Sequence, residues 1–196
     1  MTPTSPARRR PARPRPTRCT KALREGQNRF VSIWGEMGSS WGIPRTMAEV
    51  HALLYIVHEP LNTDQIMERL AISRGNASMS LKSLHDWGLI SRAHKRGDRK
   101  EYFHAEQDVW QVFRIITRER KRREIDPVLM ALHDCRDVTG PRAVGLANAD
   151  AELITHNERL DRMIDFIELI DSLAEQFVSP AGKGLQTAVG LLGKVV

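Results

Sequence analysis

The stretch that decides the fold is residues 73–105, which read SRGNASMSLKSLHDWGLISRAHKRGDRKEYFHA. Apolar residues recur at helical spacing in its first half, and at about 100° per residue three of them share one face: Ala77, Leu81 and Leu84. Ser73 has the side chain of a helix N-cap, and Gly88 can adopt the left-handed conformation that ends a helix. The sequence therefore predicts a helix that starts at Ser73 and runs to about Trp87.

The second half of the stretch changes to the pattern of a β-hairpin. Residues 89–91 and 101–103 predict its two strands, and Arg96-Gly97-Asp98 predicts the turn between them. Five cations lie on this short segment: Arg92, Lys95, Arg96, Arg99 and Lys100. Such a concentration of positive charge is costly unless it meets an anion, so the hairpin is predicted to contact a polyanion.

Three helices are predicted upstream of residue 73. The first covers residues 20–41 and is broken by Gly42-Ile43-Pro44, because the residue before a proline is pushed out of the helical region. The second runs from about 45 to 57, with an apolar face. Asn62 can cap the short third helix, since Gln65 follows three residues later as in a capping box.

Helices at about 45–57, 62–70 and 73–87 followed by a hairpin form the pattern of a winged helix-turn-helix domain. In such a domain the last helix enters the DNA major groove and the hairpin, or wing, places cations on phosphates. The outward residues of the predicted recognition helix are small or polar, which permits close approach to base edges. The predicted DNA contacts are Ser73, Arg74, Gly75, Asn76, Ser78, Met79 and Lys82 on the helix, and Lys95, Arg96, Arg99 and Lys100 on the wing.

The net charge of +6 is unevenly placed along the chain. Residues 1–19 hold six arginines and five prolines without an acid, so this segment is predicted to be disordered. It is either a basic arm that touches DNA phosphates or a solubilising tail with no specific role. Residues 148–178 carry eight acids against two arginines. A basic front and an acidic back suit a protein that meets a polyanion in one orientation.

The chain after the hairpin is predicted to be helical. A helix over about 108–124 is interrupted by Asp126-Pro127, a short helix covers 127–137, and a final helix covers about 149–177. The final helix carries a heptad pattern, which predicts a dimer interface. Its predicted interface residues are Leu153, Leu160, Met163, Ile167, Ile170 and Phe177. Part of this helix is expected to pack on helix 20–41 and the rest on a second subunit; the alternative is a purely intramolecular core.

Three segments resemble a known family: IPRTMAEVHALLYI at 43–56, SRGNASMSLKSLHDWGLI at 73–90, and GDRKEYF at 97–103. They are similar to the GbsR branch of the MarR-type winged helix-turn-helix transcriptional regulators, and RERKRREIDP after the wing also fits. The likeness spans roughly residues 24–136 and does not include the arginine-rich arm. It implies a homodimeric DNA-binding repressor, in a branch that regulates the uptake or synthesis of osmoprotectants such as choline and glycine betaine.

An effector site and a catalytic site were both weighed. Trp34, Trp41 and Tyr55 are the candidate effector residues, because aromatic faces attract quaternary ammonium ions; the alternative is an ordinary aromatic core. No catalytic motif occurs, so neither an enzyme nor a cofactor is expected. No metal site is predicted, because the histidines are scattered through the sequence: 51, 58, 85, 94, 104, 133 and 156.

The fold class expected is mainly α with a small β-hairpin wing, a winged helix-turn-helix with flanking dimerisation helices. The predicted domains are a basic arm (1–19), an N-terminal dimerisation helix (20–43), the DNA-binding domain (44–106) and a C-terminal helical region (107–196). The expected function is a cytoplasmic, sequence-specific repressor that binds double-stranded DNA as a homodimer on a palindromic operator, with a possible small effector such as choline or a betaine. The alternatives are a winged-helix protein–protein adaptor and a non-specific DNA-coating protein.

Overall fold

The computed structural model describes residues 18–140 and 150–178, which are mainly helical. The elements in chain order are α1 (Arg18–Ser40), α2 (Arg45–Ile56), β1 (Leu61–Asn62), α3 (Thr63–Leu70), α4 (Arg74–Trp87), β2 (Ile90–His94), β3 (Glu101–Ala105), α5 (Val109–Arg120), α6 (Asp126–Val138) and α7 (Ala151–Val178). A π-helical turn, Lys121–Ile125, joins α5 to α6. The strands form an antiparallel sheet in the order β1-β3-β2. The predicted fold class, mainly α with a small β-hairpin wing, is confirmed.

The helix-turn-helix begins and ends where its capping residues predict. Asn62 Oδ1 accepts a hydrogen bond from the Gln65 backbone at 3.0 Å, and Gln65 Oε1 accepts one from the Asn62 backbone at 2.9 Å. Ser73 Oγ accepts a hydrogen bond from the Asn76 backbone and caps α4. Gly88 ends that helix with a φ of +82°, a conformation that costs glycine little. The predicted capping box, N-cap and C-cap are therefore confirmed.

The core is built around α2, which runs through the centre of the domain. Its Val50, Leu53 and Leu54 are fully buried, together with Ile66 of α3 and Leu84 of α4. Burial of each such aliphatic side chain contributes roughly 1.5–3 kcal/mol. These contacts fix α3 and α4 against α2, and so set the orientation of α4 on the surface of the domain.

The wing is the hairpin of β2 and β3, whose register pairs Ile90 with Ala105 and His94 with Glu101. The two-residue strand β1 adds a third strand, because Leu61 and Asn62 pair with the inner part of β3. The sequence analysis missed β1, since two residues are too few to show an alternating pattern. β1 anchors the base of the wing next to the N-terminus of α3.

The interruption predicted at Asp126-Pro127 is wrong, because the chain stays helical there. Pro127 lacks an N–H and lies in the first turn of α6. The π-helical turn immediately before it widens the helix, and the Asp126 N–H donates to the Lys121 carbonyl five residues back. Lys121 Nζ also lies 2.8 Å from Asp126 Oδ1 and 2.9 Å from Asp171 Oδ1. The turn is thus tied to α7.

The final helix α7 packs mainly against α5, the π-helical turn and α6. Ile164 is buried in this contact, and Arg136 Nε lies 2.6 Å from Asp161 Oδ1. No contact of similar extent joins α7 to α1 within the described ranges. The expectation that part of α7 packs on helix 20–41 of the same chain is therefore wrong, because α5 and α6 already cover its inner face.

Several predictions fall outside the residues that the structure describes. They are the arm up to residue 17, most of the predicted loop at 138–147, the end of the final helix at Pro180 and Gly182, and the weak last helix at 183–196. The side chain of Phe177 is also outside. Among the helices that are described, none is both long and apolar enough to cross a membrane.

Candidate nucleic-acid interface

One face of α4 is buried and the opposite face is open to solvent. Ala77, Leu81 and Leu84 point into the core, as their spacing predicts. The residues predicted to contact DNA are all exposed: Ser73, Arg74, Gly75, Asn76, Ser78, Met79 and Lys82. Met79 is 71% exposed, which is unusual for a large apolar side chain. The open face therefore offers an amide, an ammonium and an apolar group at the protein surface.

Asp64 of α3 ties the recognition helix to the wing. Its Oδ1 accepts a hydrogen bond from Arg74 Nη2 at 2.8 Å, and its Oδ2 accepts one from Lys100 Nζ at 2.7 Å. The hydrogen bond from Lys100, and then that from Arg74, holds the pKa of Asp64 below its usual value. This role of Asp64 could not be predicted from the sequence, because an acid in the first turn of a helix is explained by the helix dipole alone.

The tip of the wing is ordered by Asp98. Its carboxylate accepts hydrogen bonds from the Lys100 backbone N–H at 2.9 Å and from the Tyr102 hydroxyl at 2.7 Å. These bonds, the first more than the second, lower the pKa of Asp98. Gly97 has a φ of +86°, and the Asp98 N–H donates to the Lys95 carbonyl to close the turn. The tip therefore presents its side chains from a fixed backbone.

The cations of the wing differ in how far their charge is compensated. Arg92 Nη1 lies 3.1 Å from Glu101 Oε1, and Lys100 is paired with Asp64. Lys95 Nζ lies 5.9 Å from the centre of the Tyr102 ring. Within the described ranges Arg96 and Arg99 have no acidic partner, and neither has Lys82 of α4. All three are exposed and are thus the free cations of this surface.

Two apolar cavities lie behind this surface. The larger, of about 400 Å³, is enclosed by α1, α2, α4 and α5, and Trp34, Trp41 and Trp87 are among the residues that line it. The smaller, of about 180 Å³, is lined by Trp34 and Tyr55 with other apolar residues. The three candidate effector residues therefore line cavities, and Trp34 is common to both. Their role as ligand contacts stays a prediction.

His51 of α2 lines both cavities. It is buried, and its Nε2 has no hydrogen-bond partner among the described residues. Burial lowers the pKa of His51 to about 4, so the imidazole is neutral at pH 7. The described lining of the two cavities holds no carboxylate, while the Arg120 guanidinium lies 5.8 Å from the ring centre of Trp41. The cavities thus offer ring faces, a neutral imidazole and one guanidinium.

Contacts between cations and aromatic rings connect the helical region to the DNA-binding domain. Arg123 of the π-helical turn lies 5.7 Å from the ring centre of Trp87, the last residue of α4. Arg120, one turn earlier, rests on Trp41 after the end of α1. The larger cavity lies between these two contacts. Trp41, Trp87 and Arg120 all line this cavity.

An apolar stripe runs along the outer face of α7. Its members are all exposed, by between 37% for Ile170 and 57% for Leu169: Met163, Phe166, Leu169, Ile170 and Leu173. Two of the predicted interface residues, Met163 and Ile170, are in this stripe. Three others, Leu153, Leu160 and Ile167, are half-buried on the inner side of the helix. Phe166, Leu169 and Leu173 are in the stripe without being among the predicted interface residues.

Clusters of three or more metal-ligating side chains are absent from the described parts of the chain. Cys135 of α6 is exposed and is not in a disulfide.

Comparisons with known proteins agree with this geometry. Residues 41–101 match the model of the MarR family. Two repressors of Bacillus subtilis (strain 168) are similar: the HTH-type transcriptional repressor GbsR, 24% identical over 78% of each chain, and the HTH-type transcriptional repressor OpcR, 22% identical over 74% of this chain and 86% of the relative. The putative HTH-type transcriptional regulator YvaV of the same organism is 22% identical over 91 residues, which is 51% of its length.

The fold also has a counterpart among solved structures. A crystal structure described as that of a transcriptional regulator superposes with a TM-score of 0.54 and 23% sequence identity. The match covers 82% of this chain and 99% of the other. At this identity the likeness bears on the fold, and it extends through the flanking helices as well as the wing.

Proposed function

We propose that this chain, whose residues 41–101 match the MarR family, is a transcriptional regulator that represses transcription by binding a palindromic operator as a homodimer. The observation that carries the proposal is the pairing of an exposed, polar α4 with a rigid basic wing. A major groove is wide enough for one α-helix, and phosphates lie along both of its edges. In this proposal Asn76 and Lys82 contact base edges, and Arg96 and Arg99 contact phosphates.

Repression is proposed from the relatives rather than from geometry. GbsR and OpcR of Bacillus subtilis both carry the word repressor in their names, and both are similar over most of their length. A protein that occupies an operator blocks the polymerase without needing a further activity. The match to YvaV, by contrast, spans about half of the length of that relative.

The proposed dimer rests on the stripe of α7. Five exposed apolar side chains on one helix face are costly in water, and contiguous patches of this kind mark interaction surfaces. MarR-type regulators typically dimerise. A two-fold dimer doubles the base pairs that are read and demands half-sites about one helical turn apart. The predicted interface residues Met163 and Ile170 belong to the stripe.

We also propose that the larger cavity is an effector site for a small ligand such as choline or a betaine. The faces of Trp34 and Trp41 suit a quaternary ammonium group. The guanidinium in the same lining, that of Arg120, is already paired with Glu124 at 3.1 Å, so the proposal rests on the ring faces and covers both ligands. Trp87, the last residue of α4, lines this cavity, so the cavity borders the recognition helix directly.

The decisive experiment is selection of bound fragments from a random duplex library. A palindromic consensus with half-sites about one turn apart is expected. Replacing Asn76 and Lys82 by alanine should remove preference for that consensus and leave weak, salt-sensitive binding. If this variant selects the same consensus, α4 does not read the bases. Wild-type protein that shifts no duplex even in dilute buffer would favour the adaptor, and salt-sensitive binding without any consensus would favour the DNA-coating protein.

A further inference from the structure

The two edges of the recognition face of α4 differ in charge. One edge meets the wing, where Arg96 and Arg99 have no acidic partner among the described residues. The other edge meets the N-terminus of α2, whose one basic residue, Arg45, is paired with Glu49 at 2.8 Å. A helix in a major groove has a phosphate strand on each side. The strand on the α2 side therefore needs a partner other than a free cation.

A groove lies at this second edge. It has a volume of about 170 Å³ and lies between the first turn of α2 and the outer side of α4. The residues that line it are Pro44, Thr46, Met47, Asn76, Met79, Ser80 and Ser83. No carboxylate is part of this lining, so an anion entering the groove meets no like charge there.

The first turn of α2 is uncapped. Its N-cap residue is Pro44, which makes no side-chain hydrogen bond to the helix. The first backbone N–H of α2 with a described partner is that of Ala48, which donates to the Pro44 carbonyl. The N–H groups of Arg45, Thr46 and Met47 are therefore available, and a helix N-terminus carries a partial positive charge.

Ser80 gives independent support for a ligand in this groove. It is only 7% exposed, and it lines the groove from the side of α4. Its hydroxyl has no hydrogen-bond partner among the described residues, so it is free to donate to a group that enters the groove. The half-buried hydroxyls of Thr46 and Ser83 line the same groove. Three hydroxyls and the unpaired N–H groups of a helix N-terminus can together donate hydrogen bonds to the oxygens of an oxyanion.

We propose that this groove binds a phosphodiester of the DNA backbone, on the strand opposite the one held by the wing. The first-turn N–H groups of α2 and the Ser80 hydroxyl donate to the phosphate oxygens. This inference rests on the proposed function and extends it, because it assigns a neutral phosphate clamp to α2, an element outside the helix-turn-helix. The two clamps fix the depth and tilt of α4 in the groove.

The test compares Ser80→Ala and Pro44→Asn with Pro44→Ala. Asparagine at position 44 can cap the free N–H groups and so competes with the phosphate without adding charge, whereas alanine leaves them open. The full-length variants are titrated by fluorescence anisotropy against a labelled 30-base-pair duplex of the selected consensus and one of mixed sequence. Ser80→Ala and Pro44→Asn should weaken binding to both duplexes by about 3- to 10-fold, the range for a lost hydrogen bond. Pro44→Ala should bind like the wild type.

Two further readouts separate a phosphate contact from damage to the fold. The slope of log affinity against log salt should stay unchanged in Ser80→Ala and Pro44→Asn, because no cation is lost, while Arg99→Ala should reduce it. Pro44→Asn should also raise the melting temperature of the free protein. A single methylphosphonate linkage at the contacted position should weaken the wild type and have little effect on Ser80→Ala or Pro44→Asn.

The proposal is overturned if Ser80→Ala and Pro44→Asn both bind like the wild type while Arg99→Ala is weakened. It is equally overturned if no methylphosphonate position distinguishes the wild type from these variants. If the wild type binds neither duplex, the proposed function fails together with this inference. The first two results leave the proposed function intact, so the two failures are distinguishable.

Discussion

Lys100 Nζ on the wing lies 2.7 Å from Asp64 Oδ2 on α3, and the same carboxylate holds Arg74 of α4. Asp64 thus joins three elements of the DNA-binding domain, at a position that the sequence analysis did not single out. It also reduces the charge that two predicted DNA-contacting residues can offer to phosphates.

Asp64→Asn is expected to tighten binding to mixed-sequence DNA and to steepen its salt dependence, because Arg74 and Lys100 lose their competing acid. The preference for the operator should fall, because the affinity for mixed-sequence DNA increases while the contacts to the bases stay the same. Anisotropy titrations of both duplexes at several salt concentrations measure this. Glu68→Gln removes an exposed acid from the same helix and serves as the control. If Asp64→Asn instead binds both duplexes more weakly, then the loss of the bonds that position the wing affects binding more than the charge freed on Arg74 and Lys100.

Arg96 and Arg99 are expected to carry more of the salt dependence than Arg92. Each free cation that meets a phosphate contributes about 0.9 to the slope of log affinity against log salt. Arg99→Ala should therefore reduce the slope by about 1 per protomer, and Arg96→Ala similarly. Arg92 is already paired with Glu101 at 3.1 Å, so Arg92→Ala is the matched control and should change the slope less. Equal effects of all three changes would contradict the distinction drawn between free and paired cations.

His51 should make the domain less stable as the pH falls. Its pKa is lowered from 6.5 to about 4 by burial, so below pH 6.5 the unfolded chain binds a proton that the folded chain does not. The contribution of neutral His51 to the free energy of unfolding is fully present above pH 6.5. It is lost between pH 6.5 and about 4, and the loss amounts to roughly 3 kcal/mol in total. Urea unfolding across this range measures the loss.

His51→Phe keeps an aromatic ring beside Trp34 and Tyr55 and removes the titration. Its stability should change less with pH over the same range. An identical pH profile in the variant would assign the acid sensitivity to other groups.

Phe166→Asp on α7 is expected to convert the protein to a monomer. A carboxylate in the centre of the apolar stripe would be buried without a partner in the dimer, whereas it is solvated in the monomer. Light scattering after size-exclusion chromatography gives the mass, and operator affinity should fall with it. Ile154→Asp is the control, because Ile154 is equally exposed on α7 but lies outside the stripe. Dimers that persist in Phe166→Asp would place the interface elsewhere.

Local signals in the sequence predicted most of the fold. Ser73, Gly88 and the Asn62–Gln65 capping box act over three or four residues, and each one lies where its side chain predicts. Contacts between distant segments could not be predicted in this way. The bond from Lys100 to Asp64 spans 36 positions, and the pairing of Leu61 with Phe103 depends on the backbone rather than on a side-chain pattern.

In the candidate site, too, local features could be predicted from the sequence and contacts between distant segments could not. Exposure of the predicted DNA-contacting residues of α4 follows from helical periodicity, since they lie opposite the buried Ala77, Leu81 and Leu84. Which cations are free and which are paired depends on Asp64 and Glu101, so it required the structure. Periodicity places Ser80 beside Leu84 on the inner side of α4, but the groove that Ser80 lines together with α2 required the structure.

The π-helical turn at Lys121–Ile125 inserts an extra residue into an otherwise continuous rod. One residue advances a helix by about 100°, so the turn sets the azimuth of α6, and of α7 packed upon it, relative to the recognition domain. In a two-fold symmetric dimer each subunit contains this turn, so the same rotation occurs on both sides of the symmetry axis. In the proposed dimer, deletion of one residue from Lys121–Ile125 would restore a regular helix, rotate α6 and α7 by about 100° and so change the spacing between the two recognition helices.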